Sequence, residues 1–179
     1  MLEVIQLDET SFLHFYSEFL DKSTADEIFI HLKSDIDWRE SYGRSQKWPL
    51  PRFQCWMSDP NVKAKLYQKE PAMPWSSQVY GIKNKLEQWL HSNDIKLTFD
   101  NVQMNKYRNG YDEADDTDKN IIGSVSFGAT RKFVIKSKLH LTHGSLIVMS
   151  EDTQINWIHS IPEDSSIVKS RINVTFRKC

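Results

Sequence analysis

The chain has 179 residues, enough for one domain with a substantial core, and its 23 Lys and Arg against 24 Asp and Glu leave a formal net charge of −1. That balance excludes a uniformly basic coat, so any nucleic-acid contact has to rest on a local patch. No stretch approaches the roughly 18 apolar residues of a membrane span, the opening MLEVIQLDETSF lacks the order of a signal peptide, and two distant cysteines, Cys55 and Cys179, argue against a disulfide framework and for a reducing, intracellular compartment.

In chain order, the first predicted element is a helix over residues 24–34. Ile28, Ile30, Leu32 and Ile36 recur at roughly helical spacing behind Ser23 or Thr24 as a cap. Residues 37–60 contain Pro49, Pro51 and Pro60 among Trp38, Trp48, Phe53 and Trp56, which predicts loops with one short strand near Arg52–Met57. A second helix is expected from Pro74 to about His91–Asn93, because Val79, Ile82, Leu86, Trp89 and Leu90 repeat at three and four. Helical periodicity then stops. Short β-prone runs follow at Phe99–Tyr107, Ile121–Ala129, Lys132–Ser137, Ser145–Met149 and Ser170–Arg177. Two helices followed by closely spaced strands predict an α+β chain whose second half is a sandwich or jelly-roll barrel.

Two segments stand out for their chemistry. Between Asp112 and Asp118 five carboxylates fall within seven residues, just before an apolar strand. Self-repulsion favours a solvated loop there, and hard cations offer an alternative use for such oxygens. In RINVTFR, strand alternation puts Arg171, Asn173, Thr175 and Arg177 on one face and Ile172, Val174 and Phe176 on the other. The polar face suits solvent, as in a half-buried strand, or the grip of a dicarboxylate by guanidinium forks. Asn105 and Tyr107 share a face in the same way. His159, in NWIHSIP, taken alone reads as an ordinary surface or core histidine.

NKYRNG (Asn105–Gly110), SVSFGATRKF (Ser124–Phe133), HGSLIVM (His143–Met149), His159 followed by Ile161-Pro162, and RINVTFR occur in an order that resembles the AlkB family of iron- and 2-oxoglutarate-dependent dioxygenases. Upstream, PRFQCWMSD and the MPW before the second helix are similar to that family's nucleotide-recognition region. The resemblance implies a single domain over 1–179, with helices and the recognition region in 1–97 and a double-stranded β-helix, or jelly roll, in 98–179. It implies Fe(II) and 2-oxoglutarate, with oxidative demethylation of N-alkylated bases in DNA or RNA, by an intracellular monomer that does not engage membranes.

Carried onto these positions, the resemblance makes His159 the distal iron ligand. Asn105, Tyr107, Arg171, Asn173 and Arg177 fall on or beside the 2-oxoglutarate positions. Trp56, Trp75 and Arg52 become candidates for substrate contact, as do Tyr67, Lys63 and Lys65. The family's His-x-Asp pair after NxYxxG is missing: no histidine lies between His91 and His140. The resemblance therefore leaves Asp112, Asp116 or Asp118 as substitute metal ligands, of which Asp116 and Asp118 are preferred. It also leaves the alternative of a non-catalytic nucleic-acid-binding module.

Overall fold

The computed structural model describes every residue except 1, 43–47, 61, 63–71, 113, 117–120, 137 and 179. Strands β1 (Leu2–Gln6) and β2 (Phe12–Tyr16) precede helix α1 (Lys22–Ser34), and β3 (Arg39–Tyr42) and β4 (Pro49–Ser58) precede helix α2 (Ser77–Ser92). There follow β5 (Asn101–Tyr107), β6 (Ala114–Asp116), β7 (Ile122–Gly128), β8 (Arg131–Val134), β9 (Lys138–Leu141), β10 (Leu146–Met149), the short helix α3 (Glu151–Asn156), β11 (His159–Ile161) and β12 (Arg171–Arg177). The described strands form an eight-stranded sheet ordered β1-β2-β10-β7-β12-β5-β4-β3 and a four-stranded sheet ordered β6-β11-β8-β9. Their ladders are antiparallel, the arrangement of a double-stranded β-helix.

Helix α1 begins earlier than its hydrophobic spacing predicts. Asp21 is its cap, accepting from the Thr24 backbone N at 2.9 Å and from Thr24 Oγ1 at 2.7 Å, so Ser23 and Thr24 lie inside the first turn. Helix α2 is capped by Ser76, whose Oγ accepts from the Val79 N. Both helices lie on the outer face of the large sheet. Ala25, Leu32, Val79, Ile82, Leu86 and Leu90 form one core with Met57, Val102, Met104, Val125, Phe127, Val148, Ile172, Val174 and Phe176. The apolar face of RINVTFR thus packs under helices, each large side chain contributing roughly 1.5–3 kcal/mol by burial.

A second core lies between the sheets. Leu13, Ile122, Ile147 and Met149 of the large sheet meet Phe133, Leu139, Leu141 and Ile161 of the small one. This apolar filling occupies the β2-β10-β7 side. On the β7-β12-β5-β4 side the same inner face turns polar, and that change of character defines the site.

Candidate functional site

All seven residues of β12 are buried, so its polar face looks into the protein and not at solvent. The strand lies between β5 and β7, and register aligns Gln54, Asn105, Asn173 and Ser126 across four strands. Directly opposite residues of antiparallel strands project to the same face, so these side chains meet. Gln54 Nε2 donates to Asn105 Oδ1 at 2.8 Å, and Arg52 Nε donates to the same oxygen at 3.1 Å. Asn105 Nδ2 donates to Asn173 Oδ1 at 3.3 Å, and Asn173 Nδ2 donates to Ser124 Oγ. Thr175 Oγ1 lies 3.0 Å from Asn173 Oδ1 and 3.2 Å from Ser124 Oγ.

Arg171 sits at one end of this row, 1% exposed and opposite both Tyr107 and Gly128. Its Nη2 donates to Ser126 Oγ at 2.9 Å, while its Nε and Nη1 are buried and meet no acceptor among the described residues. Its guanidinium lies over the Tyr107 ring, 5.1 Å from the centroid. A second guanidinium, that of Arg131, lies 5.8 Å from the same centroid and is also 1% exposed. Burial pulls the pKa of Arg171 down, Tyr107 opposes that, and the charge of Arg131 reinforces it. Arg177, also buried, closes the far end of the strand opposite Asn101.

Arg131 holds two loops together. It donates to the carbonyls of Asn109, Gly110 and Asp112 on one side and of Pro162 on the other, at 2.8–3.3 Å. Gly110 makes close approach possible there, since a Cβ at that position would stand 1.6 Å from the Asp164 carbonyl oxygen. Asp112 is not a candidate ligand. Its carboxylate accepts from the Arg108 backbone N at 2.7 Å and from Arg108 Nε and Nη2 at 2.9 and 2.8 Å, so both oxygens are engaged.

His159 lies on β11, 6% exposed, with its ring 5.3 Å from Phe133 of the inter-sheet core. The β6–β11 register puts Asp116 directly opposite it along the backbone. Asp118 lies outside the described residues, as do Lys63, Lys65 and Tyr67. Among the described residues no three His, Cys, Asp or Glu side chains converge on one point. The other histidines whose contacts are resolved serve elsewhere: His143 accepts from the Gly128 N and contacts Asp26, and His31 pairs with Asp35. The residues present therefore fit 2-oxoglutarate, through the buried guanidinium of Arg171, while the described residues alone do not make the three-donor set that Fe(II) takes in such sites.

The structure also separates the substrate candidates. Trp56 is half-buried on β4, on the same face as Gln54, and Arg52 joins the polar row through Asn105. Trp75 does not reach this face. It stacks on Phe176 at 6.3 Å on the helix-covered side, and its Nε1 donates to Asp59 Oδ1 at 2.8 Å, so it is a packing residue. Gln54, Ser124, Ser126 and Arg131 belong to the site without having been expected there. The first three carry a signal in sequence, because each sits two residues from a neighbour on the same strand face; Arg131 carries none.

A double-stranded β-helix with a buried, arginine-bearing inner strand defines the class of 2-oxoglutarate oxygenase folds. The family model described as the 2OG-Fe(II) oxygenase superfamily matches residues 12–177, and the chain belongs to that superfamily. Its relatives include human alpha-ketoglutarate-dependent dioxygenase alkB homolog 3, 29% identical over 90% of this chain, and human DNA oxidative demethylase ALKBH2, 30% identical over 91% of it. The chain spans 64% of the length of the first and 72% of the second. In structure it is similar to OsALKBH1, with a TM-score of 0.60 at 16% identity, covering 99% of this chain and all of the other. A Pseudomonas putida prolyl-4-hydroxylase gives 0.57 at 12% identity, covering 95% and 94%; at these identities the likeness concerns the fold.

Proposed function

We propose that this protein acts in oxidative demethylation of N-alkylated nucleobases in DNA or RNA, as a 2-oxoglutarate-dependent dioxygenase whose turnover is strongly reduced in this form. The observation that carries the reading is Arg171: a buried guanidinium with two unsatisfied N–H groups at the end of a polar row, inside a fold of the right superfamily. Arg171 binds the co-substrate's distal carboxylate, and Asn105, Tyr107, Asn173 and Arg177 orient the rest of it. Fe(II), when bound, supplies the oxygen-activating chemistry of the superfamily, and His159 and Asp116 are the residues of this chain proposed to contact it, with Asp118 as the remaining candidate. Trp56 offers a stacking surface for an unpaired base, and Arg52 lies further along the same face of β4, beyond Gln54.

The name of the ALKBH2 relative, a DNA oxidative demethylase, supports a nucleic-acid substrate for this chain. Monomeric state and an intracellular location are part of the same proposal; no helix among the described residues is long and apolar enough to cross a membrane. The test is formaldehyde release from methylated single-stranded DNA with Fe(II), ascorbate and 2-oxoglutarate. Release above a His159→Ala control is expected, and none at any iron concentration rejects catalysis. The absence of a three-donor metal cluster among the described residues supports a second reading, a non-catalytic binding module. It predicts binding of methylated oligonucleotide that survives chelation and weakens with salt.

A further inference from the structure

The histidine of HGSLIVM completes a strand ladder with its side chain. On the β10 side of β7, Ser126 N donates to Ser145 O at 2.9 Å and Gly144 N donates to Ser126 O at 2.8 Å. Gly144 then turns the chain away with φ of 77°, and the next N–H on that edge, that of Gly128, donates to the ring Nδ1 of His143 at 2.9 Å. A ring nitrogen accepts only while it carries no proton, so this bond requires a neutral imidazole with its hydrogen on Nε2. Nε2 lies 3.1 Å from Asp26 Oδ1 of α1, an acceptor that holds that tautomer. Phe29 and Phe127 contact the ring edge-on, with centroids 5.8 and 6.1 Å away. The charged groups that α1 brings to this place are Asp26, its partner Lys22, and Lys33 over the Phe29 ring, while β7 presents Phe127 and the Gly128 N–H.

Gly128 is where the bond meets the polar row. It stands directly opposite Arg171 in the β7–β12 ladder, the next residue's N donates to Ser170 O at 3.0 Å, and Ser126, two residues back, accepts from Arg171 Nη2 at 2.9 Å. Its φ is 85°, and a Cβ there would stand 2.5 Å from the Ser170 carbonyl oxygen and 2.6 Å from the Phe29 ring. A strand end fitted this closely between α1 and β12 passes any displacement to the residue across from it.

We infer that His143 is a positioning residue for Arg171: its unprotonated Nδ1 fixes Gly128, and Gly128 and Ser126 together fix the guanidinium. The inference rests on the co-substrate reading of Arg171 and adds a control to it. Binding of 2-oxoglutarate weakens on acidification, as His143 gains a proton and the Gly128 N–H loses its acceptor.

The test combines nuclear magnetic resonance of the isotope-labelled full chain with calorimetric titration by 2-oxoglutarate in the presence of Mn(II). Expected are a neutral His143 ring protonated at Nε2, and Gly128 amide and Arg171 Nε–H resonances that move with the titration of that ring. Asparagine puts an amide oxygen where Nδ1 stood, and glutamine puts one nearer to Nε2. His143→Asn therefore keeps 2-oxoglutarate affinity within about threefold and removes the pH dependence that follows the ring, while His143→Gln loses about tenfold across the pH range. Circular dichroism confirms that each variant is folded. A proton on Nδ1, a Gly128 or Arg171 resonance that ignores the titration, or equal affinities in the two variants each overturns the inference. If the parent chain binds 2-oxoglutarate no better than Arg171→Met, the co-substrate reading fails by itself. The inference is then decided by the Arg171 Nε–H resonance, which shifts in His143→Gln and not in His143→Asn; any other pattern overturns it.

Discussion

At Arg171 stability and binding pull in opposite directions. The ligand-free protein holds a buried guanidinium that bonds Ser126 and lies against Tyr107, with Nε and Nη1 out of hydrogen-bond reach of any described acceptor, and leaving buried donors unsatisfied costs about 1–3 kcal/mol. Arg171→Met is therefore expected to melt higher than the parent without ligand, by about 2–4 °C for each kcal/mol recovered in a protein of this size. A melting temperature that falls would show that the guanidinium is satisfied in the free protein. The alternation of RINVTFR made the two faces of this strand legible in sequence, but not which face was solvated. That depended on the second sheet, whose strands β6 and β11 are three residues each and below what periodicity resolves. For Trp75 the resemblance pointed to the recognition region, while the helix layer stacks it against Phe176, a tertiary contact with no local pattern.

Among the elements, the 109–112 loop is closely tied down. Arg131, the Arg108–Asp112 clasp and the two backbone bonds between Gly110 and residues 164 and 167 hold it against the β11–β12 connection. Gly110→Ala has to push these loops apart, and overpacking of this kind costs about 1–3 kcal/mol in urea unfolding. Insertion of a His-x-Asp loop between Tyr111 and Asp112 is expected to produce a Mn(II)-dependent thermal shift and to raise formaldehyde release; no change in either would mean that the acidic run does not border a metal site.

The β1–β2 turn carries a pH signal of its own. Asp8 is lowered to about 2, chiefly by the hydrogen bond from the Trp157 indole. Because the folded value lies below the ordinary carboxylate value of 3.8, this contribution is present above about pH 4 and is lost as pH falls toward 2. Trp157 fluorescence should change across that window, and Asp8→Asn should flatten it. Neither α3 nor the Asp8–Trp157 bond was readable in advance, since a six-residue helix and a contact spanning the whole domain leave no local pattern.

Across the whole molecule, the site exists because one sheet face is shared between an apolar and a polar half, with the helices securing the reverse side. Leu86→Ala removes a fully buried side chain from the helix–sheet core and should cost about 2–5 kcal/mol, with no direct effect on the polar row. The helix periods and the major strands were legible because each repeats locally; the pairing order was not, because it joins residues far apart in the chain. That order has a consequence for how the protein is made. Strand β12 sits between β5 and β7, so a nascent chain that has reached residue 128 holds both neighbours but lacks the strand that joins them. The large sheet cannot close until residues 171–177 have been synthesised. Until then the facing edges of β5 and β7 stay unpaired and open to wrong partners, which makes the interval before β12 arrives a period of aggregation risk for this polypeptide.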